Sequence, residues 1–324
     1  TRLLEVVAAL REKRIAVIYI SHRLGEVDQC ADRVVALRDG ENAGELAAEE
    51  IEHDAMVNLM VGRTLEKVAH GEHASGDLPE RLCIEGLRTE AHADHHIDLS
   101  IRAGEILGMA GLVGAGRSEL AQAVFGVEPR LSGNVTVDGE AVPAGSVREA
   151  IRAGIYLAPE DRKATGIVLE FSGTQNVTLA SMSAHSRAGL VDRRSERAEA
   201  ERQISALAIK TPSADTPVVN LSGGNQQKVV LGKWLSMTHK VVIFDEPTRG
   251  IDVGAKAEIY RLMRALATEG VAIWRISSDM EEVLAVSDRI AVMHEGRITG
   301  LLSRDQFSEE AVMQLAVGRT QNAA

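Results

Sequence analysis

The sequence predicts an α/β fold with a mainly parallel central sheet. Short apolar runs with the length of buried strands alternate with segments whose apolar residues recur at helical spacing. One of these strands leads through a glycine-rich loop into a helix, and another ends in two adjacent carboxylates. Because parallel strands need crossover connections, this alternation favours parallel over antiparallel pairing.

The individual elements follow from local patterns. The apolar run Ile106–Gly111 is a predicted strand, and the segment Arg117–Gly126 continues after a loop with helical spacing. Val241–Glu246 is a second candidate for a buried strand, Ala255–Thr268 is a predicted helix, and VAIWRISS is the strand after it. A charged segment with few apolar positions, SERAEAERQISAL at 195–207, predicts a separate helical layer.

Composition narrows the function classes. The 324 residues carry 47 acidic and 36 basic side chains, a net charge of −11, and the length suggests about two domains. The acidic balance, without a Lys/Arg-dense run, argues against nucleic acid as the main partner. Cys30 and Cys83 are far apart and outside any CxxC pattern, which predicts neither a disulfide framework nor a zinc site and favours a reducing compartment.

The sequence predicts no segment that spans a membrane. No apolar run approaches the roughly 20 residues that span a bilayer, and the opening TRLLEVVAAL lacks the basic region of a signal peptide. We therefore expect the chain to work in the cytoplasm and to reach a membrane only through a partner.

An internal repeat suggests the domain organisation. Residues 1–64 align without gaps on residues 257–320, with 18 of 64 positions identical. The second copy follows a long segment of its own domain, so we expect residues 1–64 to be the end of a first domain and residues 81–320 a complete second one. The polar segment between them, residues 65–80, is the predicted linker.

The glycine-rich loop GLVGAGRS, residues 111–118, fits the phosphate-loop pattern except that Arg117 stands where lysine is expected. Its glycines would let backbone N–H groups converge on phosphate, the following helix presents its positive end, and Ser118 can bind Mg²⁺. Arginine is a wider planar fork than lysine and need not occupy the same point. Such a turn alone is more often structural, but its strand–loop–helix setting favours nucleotide binding.

Two adjacent carboxylates end the strand VVIFDE. Asp245 would hold Mg²⁺ through water, and Glu246 would orient or deprotonate an attacking water. A single carboxylate at this place is commonly a solvated strand end. Two neighbouring carboxylates about 130 residues after a phosphate loop favour the functional interpretation.

The segment LSGGNQQK, residues 221–228, precedes a stretch of helical spacing. Ser222, Gly223 and Gly224 would form a second anion-binding helix start, with Asn225 and Gln226 beside it. Taken alone, the segment is better explained as a helix cap with a flexible approach.

The order of phosphate loop, LSGGNQQK, DE strand and a later serine or histidine turn resembles the ATP-binding-cassette ATPases. More narrowly, GLVGAGRSEL, APEDRK at 158–163, LSGGNQQK and DEPTRGIDVGAK resemble the second half of the tandem-cassette ATPases of bacterial ribose, galactose and xylose importers. The resemblance covers nearly the whole chain. It implies a P-loop NTPase cassette with a mainly parallel core sheet, an antiparallel β subdomain and an inserted helical subdomain at about residues 165–235.

The same resemblance implies ATP and Mg²⁺ as cofactors and sugar import as the work. It implies integral-membrane permease subunits as direct partners and an extracytoplasmic sugar-binding protein as an indirect one. The chain would then be a peripheral protein on the cytoplasmic face of the inner membrane. The remaining part of a first cassette, or a second copy of the chain, would complete the nucleotide sites.

The family's sites are composite, because the phosphate loop of one cassette faces the LSGG segment of the other. The resemblance assigns to the first site His22 as switch histidine, with Ser222, Gly223, Gly224 and Gln226 as the facing signature. It assigns the phosphate loop and the DE pair to the second site, where Glu246 is catalytic and Ser118 and Asp245 bind Mg²⁺. The full set for that site is Gly111, Gly114, Gly116, Arg117, Ser118, Glu160, Asp245, Glu246, Asp252 and Ser278.

The second site departs from the family pattern at three positions. Arg117 replaces lysine, Glu160 replaces a glutamine that commonly joins Mg²⁺ and water, and Ser278 stands where the first copy has His22. A serine hydroxyl cannot supply the imidazole contact that histidine gives to a γ-phosphate. We expect a site that binds nucleotide and hydrolyses it slowly, with Glu246 retained.

The sequence does not identify a single side chain on which the adenine base would stack. Many cassettes stack the base on an aromatic side chain, and this chain has none between Leu65 and Val124. The side chains that could substitute are Arg88, His92, His95 and His96. The alternative that we favour for this histidine cluster is an exposed polar loop, and metal binding by it lacks a fourth ligand.

Other functions fit parts of the pattern. The chain could be a nucleotide-binding regulatory module with little hydrolysis, or two copies could pair through the phosphate loop and the LSGG segment. Cassette proteins of translation or DNA repair share the core motifs but do not resemble this chain in PEDRK or TRGIDVGAK. Arg275, in a predicted buried strand, has no explanation at this level beyond an edge position or an ion pair.

Overall fold

The computed structural model describes residues 2–21, 24–38, 41–52, 55–56, 59 and 78–319. The chain divides into two compact units, one made of residues 1–71 and 251–261 and the other of residues 72–250 and 262–324. We call them the small unit and the large unit.

We number the strands and helices of the described residues in chain order. The strands are β1 Arg33–Arg38, β2 Glu41–Ala47, β3 Glu80–Thr89, β4 Ile97–Arg102, β5 Ile106–Gly111, β6 Arg130–Val137, β7 Glu140–Ala141, β8 Ile155–Ala158, β9 Ser186–Arg187, β10 Leu190–Val191, β11 Val241–Asp245, β12 Ala272–Ile276, β13 Arg289–His294 and β14 Arg297–Ser303. The helices are α1 Arg2–Glu12, α2 Leu24–Cys30, α3 Arg117–Phe125, α4 Val147–Ala153, α5 Gly173–Thr178, α6 Arg193–Ala206, α7 Gly223–Leu235, α8 Val253–Thr268, α9 Met280–Val286 and α10 Glu309–Ala316.

The core of the large unit is a six-stranded sheet with the order β14, β13, β5, β12, β11, β8. Neighbouring strands from β13 to β8 pair in parallel, and β14 adds an antiparallel edge. Every residue of β11 and β12 is buried, as expected for strands covered on both faces. The predicted fold class, with its mainly parallel core sheet, is therefore confirmed.

Two further layers belong to the large unit. One is an antiparallel sheet with the order β4, β3, β6, β7. In sequence, β3 and β4 precede the phosphate loop, and β6 and β7 follow it. Helices α5, α6 and α7 pack on one another as a helical layer, and α6 turns only three side chains inward: Glu196, Ala200 and Gln203. The described helices include none that is long and apolar enough to cross a bilayer.

The sequence repeat has a counterpart in the element bounds. At the offset of 256, α2 matches α9, β1 matches β13 and β2 matches β14, residue for residue. The segment 15–20 is different, because β12 is its counterpart and yet it forms no strand. Ile18 and Ile20 are 91% and 93% exposed, whereas Ile276 in β12 is 1% exposed. The repeat therefore extends to local structure except where the second copy forms its central strand.

Close packing of α9 on the sheet requires a glycine in β5. A Cβ atom at Gly108 would lie 2.2 Å from the Ser287 Oγ and 3.1 Å from the Val283 Cγ1. Both neighbours are fixed, Val283 within α9 and Ser287 just after it. The helix can approach the strand this closely only because position 108 has no side chain.

We predict that Gly108→Ala lowers the urea midpoint of unfolding, since overpacking of this kind costs about 1–3 kcal/mol. The matched control is Gly232→Ala in α7, where the nearest atoms to an added Cβ lie 3.4 Å away. That change should leave the midpoint unchanged or raise it, because alanine is favoured over glycine in a helix by about 0.5–1 kcal/mol. Equal midpoints for the two variants would contradict the packing argument.

Candidate functional site

The phosphate loop joins β5 to α3 through glycines in left-handed or related conformations. Gly111, Gly114 and Gly116 have φ values of +152°, +81° and +97°. A Cβ at Gly111 would come within 2.4 Å of the Met293 carbonyl oxygen. Gly116 precedes α3 without a side-chain cap, so no side chain at that position covers the N–H groups of the first turn. This is the arrangement that binds phosphate at a helix start.

Arg117 is buried and points across the loop. Its Nη1 donates a hydrogen bond to the Ser277 carbonyl oxygen at 2.7 Å. Burial lowers the pKa of Arg117, while the carboxylates of Glu246 and Asp245 oppose that shift. The guanidinium fork is thus tied to the residue that follows β12, and part of its donor capacity is already used.

Ser118 and Asp245 bring two oxygen ligands together. The Ser118 Oγ donates to the Asp245 Oδ1 at 3.1 Å, joining the start of α3 to the end of β11. Burial raises the pKa of Asp245 to about 6, the bond from Ser118 lowers it, and the charge of Glu246 raises it further. A hydroxyl and a carboxylate beside a phosphate loop are the donors that Mg²⁺ uses together with nucleotide oxygens and water, so the residues fit that ion.

Glu246 is held in a tight turn just beyond β11. Its φ is +46°, which is uncommon for a residue with a side chain, and its N–H donates to the Ile276 carbonyl at 3.0 Å. Ser278 lies exposed two residues after the end of β12. The carboxyl ends of β5, β11 and β12 therefore bring the loop, the carboxylates and the serine to one edge of the sheet, as parallel sheets do.

Glu160 has a protein partner. Its carboxylate forms an ion pair with Arg249, and both side chains are partly exposed. The next residue, Asp161, accepts the N–H groups of Lys163 and Ala164 and so caps the turn Arg162–Gly166. Glu160 is thus directed toward the loop after the DE pair.

The LSGG segment forms the start of α7. Ser222 caps the helix by accepting the Asn225 N–H. At Gly223 an added Cβ would lie 2.8 Å from the Arg162 Nη2, so a guanidinium covers this glycine. Gln226 is buried and donates through Nε2 to the carbonyls of Val218 and Leu221, each at 3.2 Å. In this chain Gln226 braces the turn before the helix, and Gly224 is likewise buried.

The remaining residues assigned by resemblance are His22 and Asp252. His22 lies outside the described residues. Asp252 belongs to the small unit, where its Oδ1 accepts the Ala255 N–H at 2.9 Å near the start of α8.

His92 packs on the phosphate loop. A Cβ at Gly116 would come 2.7 Å from the His92 Cδ2, and a Cβ at Gly296 would come 2.2 Å from the His92 Cβ. The other candidates have backbone partners nearby, since Arg88 donates to the Ala93 carbonyl and His96 contacts the Gly86 carbonyl. The histidines do lie around a polar turn, but one ring is placed against the loop.

Sequence reasoning did not find the partners of Arg275. This fully buried guanidinium forms an ion pair with Glu282, which also accepts a hydrogen bond from Thr248. The sequence signal was the coincidence of one basic residue in an apolar strand with one acidic residue seven positions later. Within the described part of the chain, no group of three or more His, Cys, Asp or Glu side chains is placed to hold a metal ion.

The parallel sheet, the phosphate loop with its carboxylates and the separate LSGG helix start are the features expected of an ATP-binding cassette. The family described as "ABC transporter" matches residues 95–249 of this chain. The match includes the phosphate loop, the LSGG segment and the DE pair.

Among curated proteins the chain is similar to importer subunits. It is 44% identical over 324 residues to the "Ribose import ATP-binding protein RbsA" of Yersinia pestis, covering 99% of this chain and 63% of that protein. It is 46% identical over 319 residues to the "Ribose import ATP-binding protein RbsA 2" of Rubrobacter xylanophilus, covering 98% and 61%. The chain thus spans a little over three-fifths of the length of these relatives.

Solved cassettes share the fold. The ADP conformation of MJ1267, an ATP-binding cassette of an ABC transporter, gives a TM-score of 0.61 at 19% identity over 74% of this chain and 99% of that one. The dimeric structure of MJ0796, a bacterial ABC transporter cassette, gives 0.59 at 19% identity over 70% and 100%. These likenesses confirm the cassette architecture.

The raised pKa of Asp245 predicts how the stability of the folded chain changes with pH. Protonated Asp245 is favoured in the folded chain, so the stability it contributes is complete below pH 3.8 and is lost as the pH rises through about 6. In metal-free buffer we predict that Asp245→Asn is more stable than wild type at pH 8, by on the order of 2 kcal/mol, and equal to it near pH 4.

The control variant is Asp138→Asn, for which we expect the opposite change in stability. Burial raises the pKa of Asp138, but its bonds with Lys240 and Arg81 outweigh that and hold the pKa below its usual value. Asp138→Asn should therefore be less stable than wild type at pH 8, with the difference shrinking in acid. Urea unfolding at several pH values measures both, and the same sign for both variants would contradict the electrostatic account.

Proposed function

We propose that this chain is an ATP-binding and ATP-hydrolysing subunit that energises sugar import through a membrane permease. The observation that carries the proposal is the edge of the sheet where the phosphate loop, Ser118, Asp245 and Glu246 meet. Similarity to proteins named as ribose import ATP-binding proteins supports the transport role and sugar as the cargo class.

The chain's residues take distinct roles in this proposal. The loop N–H groups and the start of α3 bind the phosphates, and Ser118 and Asp245 hold Mg²⁺, which would neutralise phosphate charge. Glu246 orients or deprotonates the attacking water. Ser222, Gly223 and Gly224 present the start of α7 to a nucleotide on another cassette, while buried Gln226 supports that turn.

Two contacts and one difference in residue type support slow hydrolysis by this site. Arg117 spends one donor on the Ser277 carbonyl, Glu160 is paired with Arg249, and Ser278 offers a hydroxyl where a histidine would offer an imidazole. In this proposal, nucleotide binding rests on the loop N–H groups and Mg²⁺, whereas phosphoryl transfer also draws on a cation and an imidazole near the third phosphate and on a group that joins Mg²⁺ and water. A nucleotide-binding regulatory module is therefore the second candidate function.

The proposed partners follow from the composite nature of such sites. Residues 1–64 would be part of a first cassette, a view supported by the matching bounds of α2 and α9. A fuller first cassette or a second copy of the chain would face the phosphate loop. Permease subunits would hold the chain at the cytoplasmic face of the membrane, with a sugar-binding protein acting outside. Similarity to import proteins does not favour a cassette of translation or DNA repair.

We predict that the chain binds Mg·ATP and that Ser118→Ala weakens binding about ten-fold or more, because one Mg²⁺ ligand is lost. Calorimetry measures the affinity, with Ser132→Ala as control, since the Ser132 hydroxyl donates to the Gly86 carbonyl. Absence of binding by wild type would reject the nucleotide site.

Turnover separates the two candidate functions. Phosphate release that rises with protein concentration and is lost in Glu246→Gln would support an ATPase in which copies pair. Binding without any release that depends on Glu246 would instead support the regulatory module.

The placement of His92 predicts a role in base binding. His92→Ala should weaken Mg·ATP binding several-fold, whereas His92→Phe should preserve it, because either ring offers a stacking face. His96→Ala is the matched control, since His96 contacts the Gly86 carbonyl and not the phosphate loop. Equal affinities for His92→Ala and wild type would remove His92 from the site.

A further inference from the structure

Glu282 is a buried acceptor beside the candidate site. It lies in the first turn of α9, where its own N–H is capped by the Asp279 carboxylate. Its Oε2 accepts the Thr248 hydroxyl at 2.6 Å and forms the ion pair with Arg275. The Ser277 hydroxyl lies 3.5 Å from the same oxygen. One carboxylate thus joins three separate segments of the large unit.

The first segment is the turn that holds Glu246. Thr248 is buried two residues after Glu246, and the Arg249 N–H closes the turn on the Glu246 carbonyl at 3.1 Å. Because Glu246 has a φ of +46°, its backbone needs support from its surroundings. The Thr248 hydroxyl supplies a side-chain anchor for that turn.

The second segment is the end of β12 together with Ser277 and Ser278, which follow it. Ser277 also accepts the hydrogen bond from Arg117, so the same short stretch touches both Glu282 and the phosphate loop. Arg275, two residues before Ser277, is fully buried and supplies the positive charge that a buried carboxylate requires.

The repeat shows the same acceptor with another donor. Tyr19 and Glu26 of the small unit correspond to Arg275 and Glu282. The Tyr19 hydroxyl donates to the Glu26 Oε2 at 2.6 Å. In both copies a glutamate on this helix therefore accepts a hydrogen bond from the segment that precedes the helix, whether the donor is a phenol or a guanidinium. The acceptor is the shared feature, and the donor varies.

We propose that Glu282 is a positioning residue of the nucleotide site. It holds the turn after Glu246 through Thr248 and the end of β12 through Arg275 and Ser277. It thereby fixes where Glu246 and Ser278 stand relative to the terminal phosphate. The inference rests on the proposed function, which places those two residues at the third phosphate of ATP.

The test removes one bond and leaves the ion pair intact. Thr248→Val keeps the shape of the buried side chain and deletes the hydroxyl that reaches Glu282. We expect the ratio of Mg·ATP to Mg·ADP affinity, measured by calorimetry, to fall about ten-fold, since small misplacements at such sites are costly. Thr248→Ser retains the hydroxyl and should restore the ratio to within about two-fold of wild type.

The control is Thr299→Val. Thr299 is also buried, and its hydroxyl donates to the Val292 and Leu315 carbonyls at 3.1 and 2.9 Å. Both valine variants should lose thermal stability, but only Thr248→Val should change the affinity ratio. If the two variants share the wild-type ratio, the positioning role is rejected while the nucleotide site stands. If wild type binds neither nucleotide, the proposed function and this inference both fail.

Discussion

Parallel pairing of β5 with β12, and of β12 with β11, is the constraint on which the rest of the site depends. These pairings bring three carboxyl ends to one edge, so residues that are 127 positions apart, Ser118 and Asp245, can share a hydrogen bond. All three strands are buried, with no side chain at Gly108 to keep α9 away. The chemistry at the edge is thus fixed by packing beneath it.

That packing also determines which charges the edge can carry. Asp245, Arg117 and Arg275 are all buried there, and each has a polar partner that offsets the cost of leaving water. Burial and charge act in opposite directions on Arg117 and in the same direction on Asp245 through Glu246. The edge is therefore a connected electrostatic unit, in which a change at one group alters the others.

Much of this architecture could be predicted from local patterns. The apolar run 106–111 is β5 as observed, and the glycines predicted to form the phosphate loop have the positive φ values that the loop needs. Contacts between particular side chains could not be predicted, because periodicity carries no information on which side chains meet. The pairs Glu160–Arg249 and Arg275–Glu282 and the placement of His92 on Gly116 belong to this class.

The exposed segment IAVIYI at 15–20 has a consequence for the behaviour of the protein in solution. It has no charge and no proline, and it has high β propensity. Its isoleucines are exposed to solvent, whereas the corresponding strand of the second copy, β12, is buried. Such a stretch is a template for edge-to-edge association between molecules. A lysine in place of Ile18 would add a charge to this segment and act as a gatekeeper against such association.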